Sequence, residues 1–164
     1  MRGSEFPDQL CSVARSLEIV GEWWTLLIVR EAFFGTRRFS DFEARLGIAK
    51  NVLSDRLGKL VTTGVMERNS VPGRGNPGHY VLTPMGRDLF PAIIALMQWG
   101  DRWVHGAASA PIHVLDRESR TEIARMEVTT REGRPLGLRD VMVAPGPGAD
   151  DALRRRFGNA DSTP

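Results

Sequence analysis

The chain has 164 residues, 41% of them hydrophobic, and a formal net charge of +2. This is globular composition, long enough for one domain with a core plus an appendage. No apolar run reaches the roughly 20 residues that a transmembrane helix needs. The single cysteine, Cys11, excludes an intrachain disulfide and a cysteine-rich zinc site. We therefore expect a cytoplasmic protein with no membrane partner, no metal and no other cofactor.

The charge is unevenly distributed along the chain. Residues 29–82 contain nine Lys/Arg against five Asp/Glu, whereas the remainder is slightly acidic. A basic middle segment favours a polyanionic partner such as a nucleic acid.

The first two predicted elements are helices over residues 11–21 and 23–34. The first carries Val13, Leu17 and Val20 on one face. The second is apolar nearly all round, with only three polar interruptions. A helix of that kind belongs in the centre of a domain.

A short helix is predicted next, over residues 39–47, with three apolar side chains at helical spacing. Ser40 and Glu43 have the spacing of a capping box, in which each side chain bonds the other residue's backbone N–H. Gly47 is expected to end the helix with a tight turn.

A second helix follows at once, over residues 49–64. Its apolar side chains form one stripe, consisting of Val52, Leu53, Leu57, Leu60 and Val61. Its polar side chains fall on the opposite side, namely Asn51, Ser54, Asp55 and Lys59. Such a helix fits the major groove of DNA, although in an isolated helix this periodicity is more typical of an ordinary solvated surface.

Two β-branched runs come next, over residues 65–71 and 79–83, and the Pro/Gly-rich loop PGRGNPG separates them. Helix, turn, helix and hairpin in this order indicate a winged helix-turn-helix, with Arg74 and Asn76 at the tip of the wing. The loop glycines also spell G-x-G-x-x-G. A strand-like run follows them where a dinucleotide site needs a helix, so we reject that function.

These elements define a predicted DNA interface. We expect bases to be contacted by Asn51, Ser54 and Asp55, phosphates by Arg37, Arg38, Lys50, Arg56 and Lys59, and flanking DNA by Arg74 and Asn76. The alternative for Arg37 and Arg38 is a solvated turn.

A long last helix is predicted to start at Thr83 and Pro84, as N-cap and first residue, and to be kinked by Pro91. Its apolar residues cover more than one face, so part of it should pack on a second copy. The predicted homodimer interface consists of Val13, Leu17, Phe90, Ile93, Ile94, Met97 and Trp99. The alternative is that this helix buries everything against the first helix and the tail.

From residue 112 onward the pattern changes to period two. It predicts strands over residues 112–117, 122–130 and 138–146, separated by turns. The resulting domain plan is a cloning scar over 1–6, a DNA-binding and dimerisation domain over 7–105, a β appendage over 106–146 and a loosely ordered tail over 147–164. The fold class is α+β, mainly helical: a winged helix-turn-helix with a long dimerisation helix and a small antiparallel β appendage.

The run from residue 11 to about 104 resembles the HxlR-type winged-helix transcriptional regulators of bacteria and archaea. The resemblance is carried by Cys11, Val13, Ala14, Gly21, Trp24, Thr25, Leu26, Leu27, Gly35, Arg38, Phe39, Val52, Leu53, Ser54, Arg56, Leu57, Leu60, Gly64, Glu67, Arg68, Tyr80, Leu82, Thr83 and Gly86. It implies a homodimer built from the first and last helices, with a recognition helix and a wing on double-stranded operator DNA. Ala49 departs from the pattern, since the family commonly has a capping serine there.

The resemblance also implies two properties outside the DNA interface. Some members carry a thiol that senses oxidants or electrophiles where this chain has Cys11, and a small-molecule effector is an open alternative. Longer members append a metal-binding ribbon, but here Thr129 and Glu132 stand where cysteines would be, and His113 alone cannot hold zinc.

Two other function classes compete with a DNA-binding regulator. An enzyme is disfavoured, because the three histidines are scattered and no nucleophile or phosphate-loop context is present. A winged-helix module that binds protein instead of DNA would not need so many basic residues in one place.

Overall fold

The computed structural model describes residues 11–70, 78–106 and 109–158. Its elements in order are α1 Ser12–Val20, α2 Trp23–Phe33, α3 Phe39–Leu46, α4 Lys50–Thr62, β1 Met66–Asn69, β2 His79–Leu82, α5 Pro84–Arg87, α6 Phe90–Gly100, a π-helical turn Asp101–His105, a 3₁₀ turn Leu138–Asp140 and α7 Asp151–Phe157. This mainly helical fold with one two-stranded sheet confirms the predicted class of winged helix-turn-helix.

The core surrounds α2, as its all-round apolar pattern predicts. Ile28 and Val29 are fully buried within α2, and Phe42 of α3 is buried in the same cluster. Leu53 and Leu57 of α4 complete its central part. The predicted stripe of α4 is therefore the surface that anchors this helix to the domain.

The link between α3 and α4 is a tight turn. Gly47 has φ +62°, a left-handed conformation that costs glycine little, and its N–H donates to Glu43 at 2.9 Å. The predicted capping box at Ser40 is wrong. The helix begins earlier, since the Arg38 carbonyl accepts the N–H of Asp41, so Ser40 lies inside the first turn and bonds Asp41 instead.

The wing strands pair antiparallel, in register from Met66 opposite Leu82 to Asn69 opposite His79. The N–H of Tyr80 donates to the Arg37 carbonyl at 2.8 Å, which fixes the second strand to the turn before α3. The base of the wing is thus joined to the helix-turn-helix by the backbone.

The predicted long last helix is in fact two helices. Thr83 caps α5 as expected, since its hydroxyl accepts the N–H of Gly86 at 3.2 Å and donates to the Gly64 carbonyl at 2.6 Å. The chain then breaks at Asp88, and α6 starts at Phe90. Pro91 does not kink a continuous helix. It lies in the first turn of α6, where its missing N–H leaves no helical hydrogen bond unmade.

The appendage contains less strand than predicted. The described residues form only two isolated bridges there, Leu115 with Glu122 and Thr129 with Pro135. The amide of Gln98 on α6 donates to the Ala124 carbonyl at 3.1 Å and accepts the Met126 N–H at 2.7 Å. Backbone hydrogen bonds also join the segments of the appendage to each other, from Ile123 to Val114 and from Leu136 to Val128. The period-two pattern therefore reflects extended segments that pair only at isolated positions and that Gln98 docks on α6.

The tail also differs from prediction. Residues 151–157 form α7 where loose order was expected, because Asp150 accepts the N–H of Leu153 at 2.8 Å as an N-cap. The predicted scar at 1–6 lies outside the described residues.

Gly86 provides a test of the packing between α5 and the wing. A β-carbon added there would overlap the carbonyl oxygen of Val65, a backbone atom that cannot move away cheaply. We expect Gly86→Ala to lower the free energy of unfolding by about 1–3 kcal/mol, measured by urea denaturation. Gly58→Ala is the matched control. No atom would contact the new methyl group, so helix propensity should raise stability by up to about 1 kcal/mol. Equal effects at both sites would contradict this packing.

Candidate nucleic-acid interface

The exposed side of α4 carries the polar side chains that the sequence predicts for base contact. Asn51, Ser54 and Asp55 are all exposed, as is Lys50 at the start of the helix. We call these four residues the α4 polar face. On the opposite side Leu53, Leu57 and Leu60 are fully buried, so the helix can present this face to a partner without losing its own packing.

The N-terminal end of α4 is held by packing more than by capping. Ala49 occupies the N-cap and makes no side-chain hydrogen bond. Lys50 and Glu43 of α3 approach at 4.0 Å, but the lysine side chain is 77% exposed, so their attraction contributes little. The ammonium of Lys50 therefore remains available to a phosphate. Lys59, near the other end, is half-buried.

Arg56 lies on the flank of α4, outside the polar face. Its guanidinium binds Glu22, in the turn before α2, and Asp55, each at 3.2 Å. The side chain is only 21% exposed. In this arrangement Arg56 joins α4 to the start of α2, and it is not a free phosphate contact as the sequence prediction assumed.

The adjacent arginines before α3 have different roles. The Arg37 guanidinium donates to the carbonyls of Ala32 at 2.7 Å and Thr36 at 3.0 Å. It therefore closes the turn after α2 through one terminal nitrogen, and the phosphate contact predicted for Arg37 stays a prediction. Arg38 is exposed, so only this arginine of the pair projects from the surface.

A buried carboxylate that the sequence prediction treated as a mere interruption organises the same turn. Glu31 accepts hydrogen bonds from Arg30 at 2.9 Å and from the Thr36 hydroxyl at 3.3 Å, and Arg45 of α3 approaches it at 3.9 Å. Buried charges need such partners. The sequence signal for this contact was the position of Thr36 directly after Gly35, because a turn at the glycine brings the threonine back to the end of α2.

The base of the wing contributes a further basic side chain that the prediction missed. The Arg68 guanidinium lies 5.6 Å from the centre of the Tyr80 ring, directly across the hairpin. The predicted wing-tip residues Arg74 and Asn76 lie outside the described residues.

The predicted dimer interface is divided by the structure. Val13, Leu17, Phe90 and Trp99 are exposed apolar side chains, whereas Met97 is half-buried against the core. The prediction is wrong for Ile93 and Ile94. They are 6% and 2% exposed, because the inward face of α6 packs on its own chain. Leu96 and Trp103 are exposed on the outward side although the prediction did not include them. Their helical spacing from Trp99 could have indicated that they share its face.

Cys11 is exposed at the N-cap of α1. The backbone N–H groups of Ala14 and Val13 lower the pKa of its thiol, because they favour the thiolate. Among the described residues, no cluster of His, Cys, Asp and Glu could hold a metal ion. Within that part of the chain, no helix has both the length and the hydrophobicity to cross a membrane.

A sequence model described as HxlR-like helix-turn-helix matches residues 19–108, more than half of the chain. The chain belongs to this family. It is 45% identical over 139 residues to an uncharacterized HTH-type transcriptional regulator of Mycobacterium tuberculosis, covering 84% of this chain and 87% of that one.

Two solved structures extend the likeness to three dimensions. The crystal structure of PA1607, a candidate transcription factor, matches with a TM-score of 0.80 and 37% identity, over 86% of this chain and 99% of that one. The redox regulator HypR in its reduced form matches with a TM-score of 0.53 and 26% identity, over 57% of this chain and 96% of that one. The HxlR-like chain is thus a member of a family of transcriptional regulators.

The two neighbouring arginines of this HxlR-like chain give a matched test. We expect Arg37→Gln to lower the free energy of unfolding by about 1–3 kcal/mol, because two backbone carbonyls lose a charged donor. Arg38→Gln should change it by less than about 0.5 kcal/mol, as is usual for an exposed side chain. Thermal and urea unfolding of both variants would measure this. A destabilised Arg38 variant beside an unaffected Arg37 variant would reverse the assignment.

Proposed function

We propose that the protein is a sequence-specific, DNA-binding transcriptional regulator that acts as a homodimer. The observation that carries the proposal is the α4 polar face, an exposed row of amide, hydroxyl and charged groups on a helix whose three leucines are fully buried. A helix anchored in this way can enter a major groove without unfolding or repacking. As a DNA-bound regulator the protein would act in the cytoplasm.

Each group on or beside this face has a chemical partner in DNA. Asn51 and Ser54 can bond base edges, and Asp55 can accept from the amino group of cytosine. Lys50, Lys59 and Arg38 supply cations for phosphates. We leave Arg37 and Arg56 out of this set, because one terminal nitrogen of Arg37 bonds two carbonyls of the turn and Arg56 bonds Glu22 and Asp55.

The exposed apolar side chains of α1 and α6 support the homodimer. A single chain leaves six of them in water, on α1, on α6 and on the π-helical turn that follows α6: Val13, Leu17, Phe90, Leu96, Trp99 and Trp103. Apolar patches of this kind mark protein interfaces. A two-fold axis through them would give a pair of α4 helices for the two half-sites of an operator.

Salt dependence tests the phosphate contacts. With a duplex from the upstream region of its own gene, the logarithm of affinity should fall linearly with the logarithm of salt concentration. Lys59→Ala should make that slope shallower by roughly one, whereas Arg139→Ala, an exposed charge removed from the appendage, should leave it unchanged. Fluorescence anisotropy gives the slopes, and native mass spectrometry should find two chains per duplex.

Asn51→Ala separates base reading from general attraction. It should cost about 1–3 kcal/mol on the specific site and little on random DNA. The competing function is a module that binds protein. A slope near zero for the unmodified protein would favour that function and reject ours.

We further propose that Cys11 makes the regulator responsive to thiol-modifying compounds. Its exposure and its lowered pKa support this, together with the similarity to HypR, a redox regulator. Modification on α1 would act at the proposed subunit interface, beside Val13.

Alkylation kinetics test the state of this thiol. Because the N-terminal N–H groups of α1 lower the thiol pKa, Cys11 should react with iodoacetamide at pH 7 faster in the folded protein than in urea. The rate should also reach half its maximum at lower pH when folded. Equal midpoints in both states would show that the helix does not activate the thiol, and unchanged DNA affinity after full alkylation would reject its regulatory role.

A further inference from the structure

A cavity of about 490 Å³ that opens broadly to solvent is lined by residues of α2, the wing strands, α5 and the start of α6. It is distinct from the α4 polar face. Its apolar walls include Phe33, Phe90 and Val81, and its charged residues are Arg37, Arg87 and Glu67. Ligand sites for small molecules have this size and this mixture of apolar walls with a few polar groups.

The apolar wall is built from two aromatic rings. Phe33 and Phe90 pack edge to face, with ring centres 5.1 Å apart and an angle of 62° between their planes. Phe90 is nevertheless 41% exposed, so the pair leaves apolar surface open to the cavity. A planar or compact apolar body would remove that surface from water.

The two arginines are held in place by the backbone. Arg87 donates through one terminal nitrogen to the Leu82 carbonyl at 2.8 Å, and Arg37 uses one terminal nitrogen in the same way for two carbonyls. The remaining N–H groups of both side chains have no partner among the described residues. A guanidinium fixed at one nitrogen and open at the others is a pre-organised donor for a carboxylate.

The charges limit the ligand further. Glu67 and the two arginines together give the lining a net charge of +1, which suits a ligand with a single negative charge. We propose that this cavity binds a small molecule with one carboxylate on an aromatic or similarly compact apolar body. The carboxylate bonds Arg87 and Arg37, and the apolar body packs on Phe33 and Phe90.

The position of the cavity connects such a ligand with the proposed interfaces. Its lining includes β1 and β2 of the wing and Phe90 on the surface assigned to the dimer. The Arg37 carbonyl also accepts the Tyr80 N–H, between the turn and the wing. Binding is therefore expected to change the placement of the wing relative to α6. Only this regulatory consequence rests on the proposed DNA-binding function.

Benzoate is the probe for this class of ligand, and benzamide is its neutral counterpart of the same shape. Calorimetric titration of the full chain should show saturable binding of one benzoate per chain, with a Kd on the order of 1 mM for so few atoms. Benzamide should bind at least about tenfold more weakly, since it cannot form a charge-assisted hydrogen bond. Absence of saturable benzoate binding, or equal affinity for both compounds, would overturn the proposal.

Two substitutions with opposite expected effects locate the site. Arg87→Gln should weaken benzoate binding about tenfold, whereas Glu67→Gln should strengthen it several-fold by removing the negative charge of the lining. Both side chains are exposed, and circular dichroism checks the fold. Arg139→Gln, which removes a positive charge elsewhere, should leave the affinity unchanged. Loss of affinity in the Glu67 variant, or none in the Arg87 variant, would place the ligand elsewhere.

DNA anisotropy with benzoate, against sodium chloride of equal ionic strength, measures the regulatory consequence separately. A benzoate-dependent shift in DNA affinity that Arg87→Gln abolishes is the expected result. If the protein binds benzoate but not DNA, the proposed ligand site stands and the proposed function is rejected. If it binds DNA but shows no saturable benzoate binding, the function stands and the ligand site is rejected.

Discussion

The central position of α2, which packs on most of the other helices and on the wing, is the constraint from which the rest of the structure follows. Because Ile28 and Val29 must be covered from several directions, α3, α4 and the hairpin pack around one helix. The side of α4 that meets this core is set by Leu53 and Leu57. Hydrophobic burial thereby decides which side of α4 remains in water, and with it the orientation of the groups assigned to DNA.

Polar contacts in the turn after α2 also fix the arrangement of the surrounding elements. Glu31 binds Thr36 and two arginines, and Arg37 donates to the carbonyl of Ala32 in the last turn of α2 and to that of Thr36 in the turn itself. These contacts bring the turn, α3 and the wing strand into one arrangement. Arg37 therefore has a larger structural role than its position in a basic segment suggests, and it also lines the cavity.

Much of this architecture could be predicted from residue patterns. The period of α4 placed Leu53 inside and Asn51 outside, and Gly47 and Thr83 marked turns whose geometry depends on local chemistry. Such features are predictable because spacing and turn chemistry are local. The capping box predicted at Ser40 was wrong, because a capping pattern does not specify which residue starts the helix.

The remaining errors concern tertiary choices. Ile93 and Leu96 look equally apolar in sequence, and only the packing of α6 assigns one to the core and the other to the surface. An arginine in a basic run can bond a phosphate or a backbone carbonyl, and only the folded turn shows that Arg37 bonds carbonyls. The period-two pattern of the appendage predicts extended chain. It does not predict whether the backbone groups of that chain bond a neighbouring strand or a side chain such as Gln98.

The docking through Gln98 has a consequence for how the protein can vary. Its side-chain amide bonds the carbonyl of Ala124 and the N–H of Met126. These contacts are with the backbone, so they do not depend on which side chains stand at 124 and 126. Substitutions and length changes beyond this anchor can therefore accumulate without disturbing α2 or α4. The helix-turn-helix can keep its shape while that later part of the appendage changes.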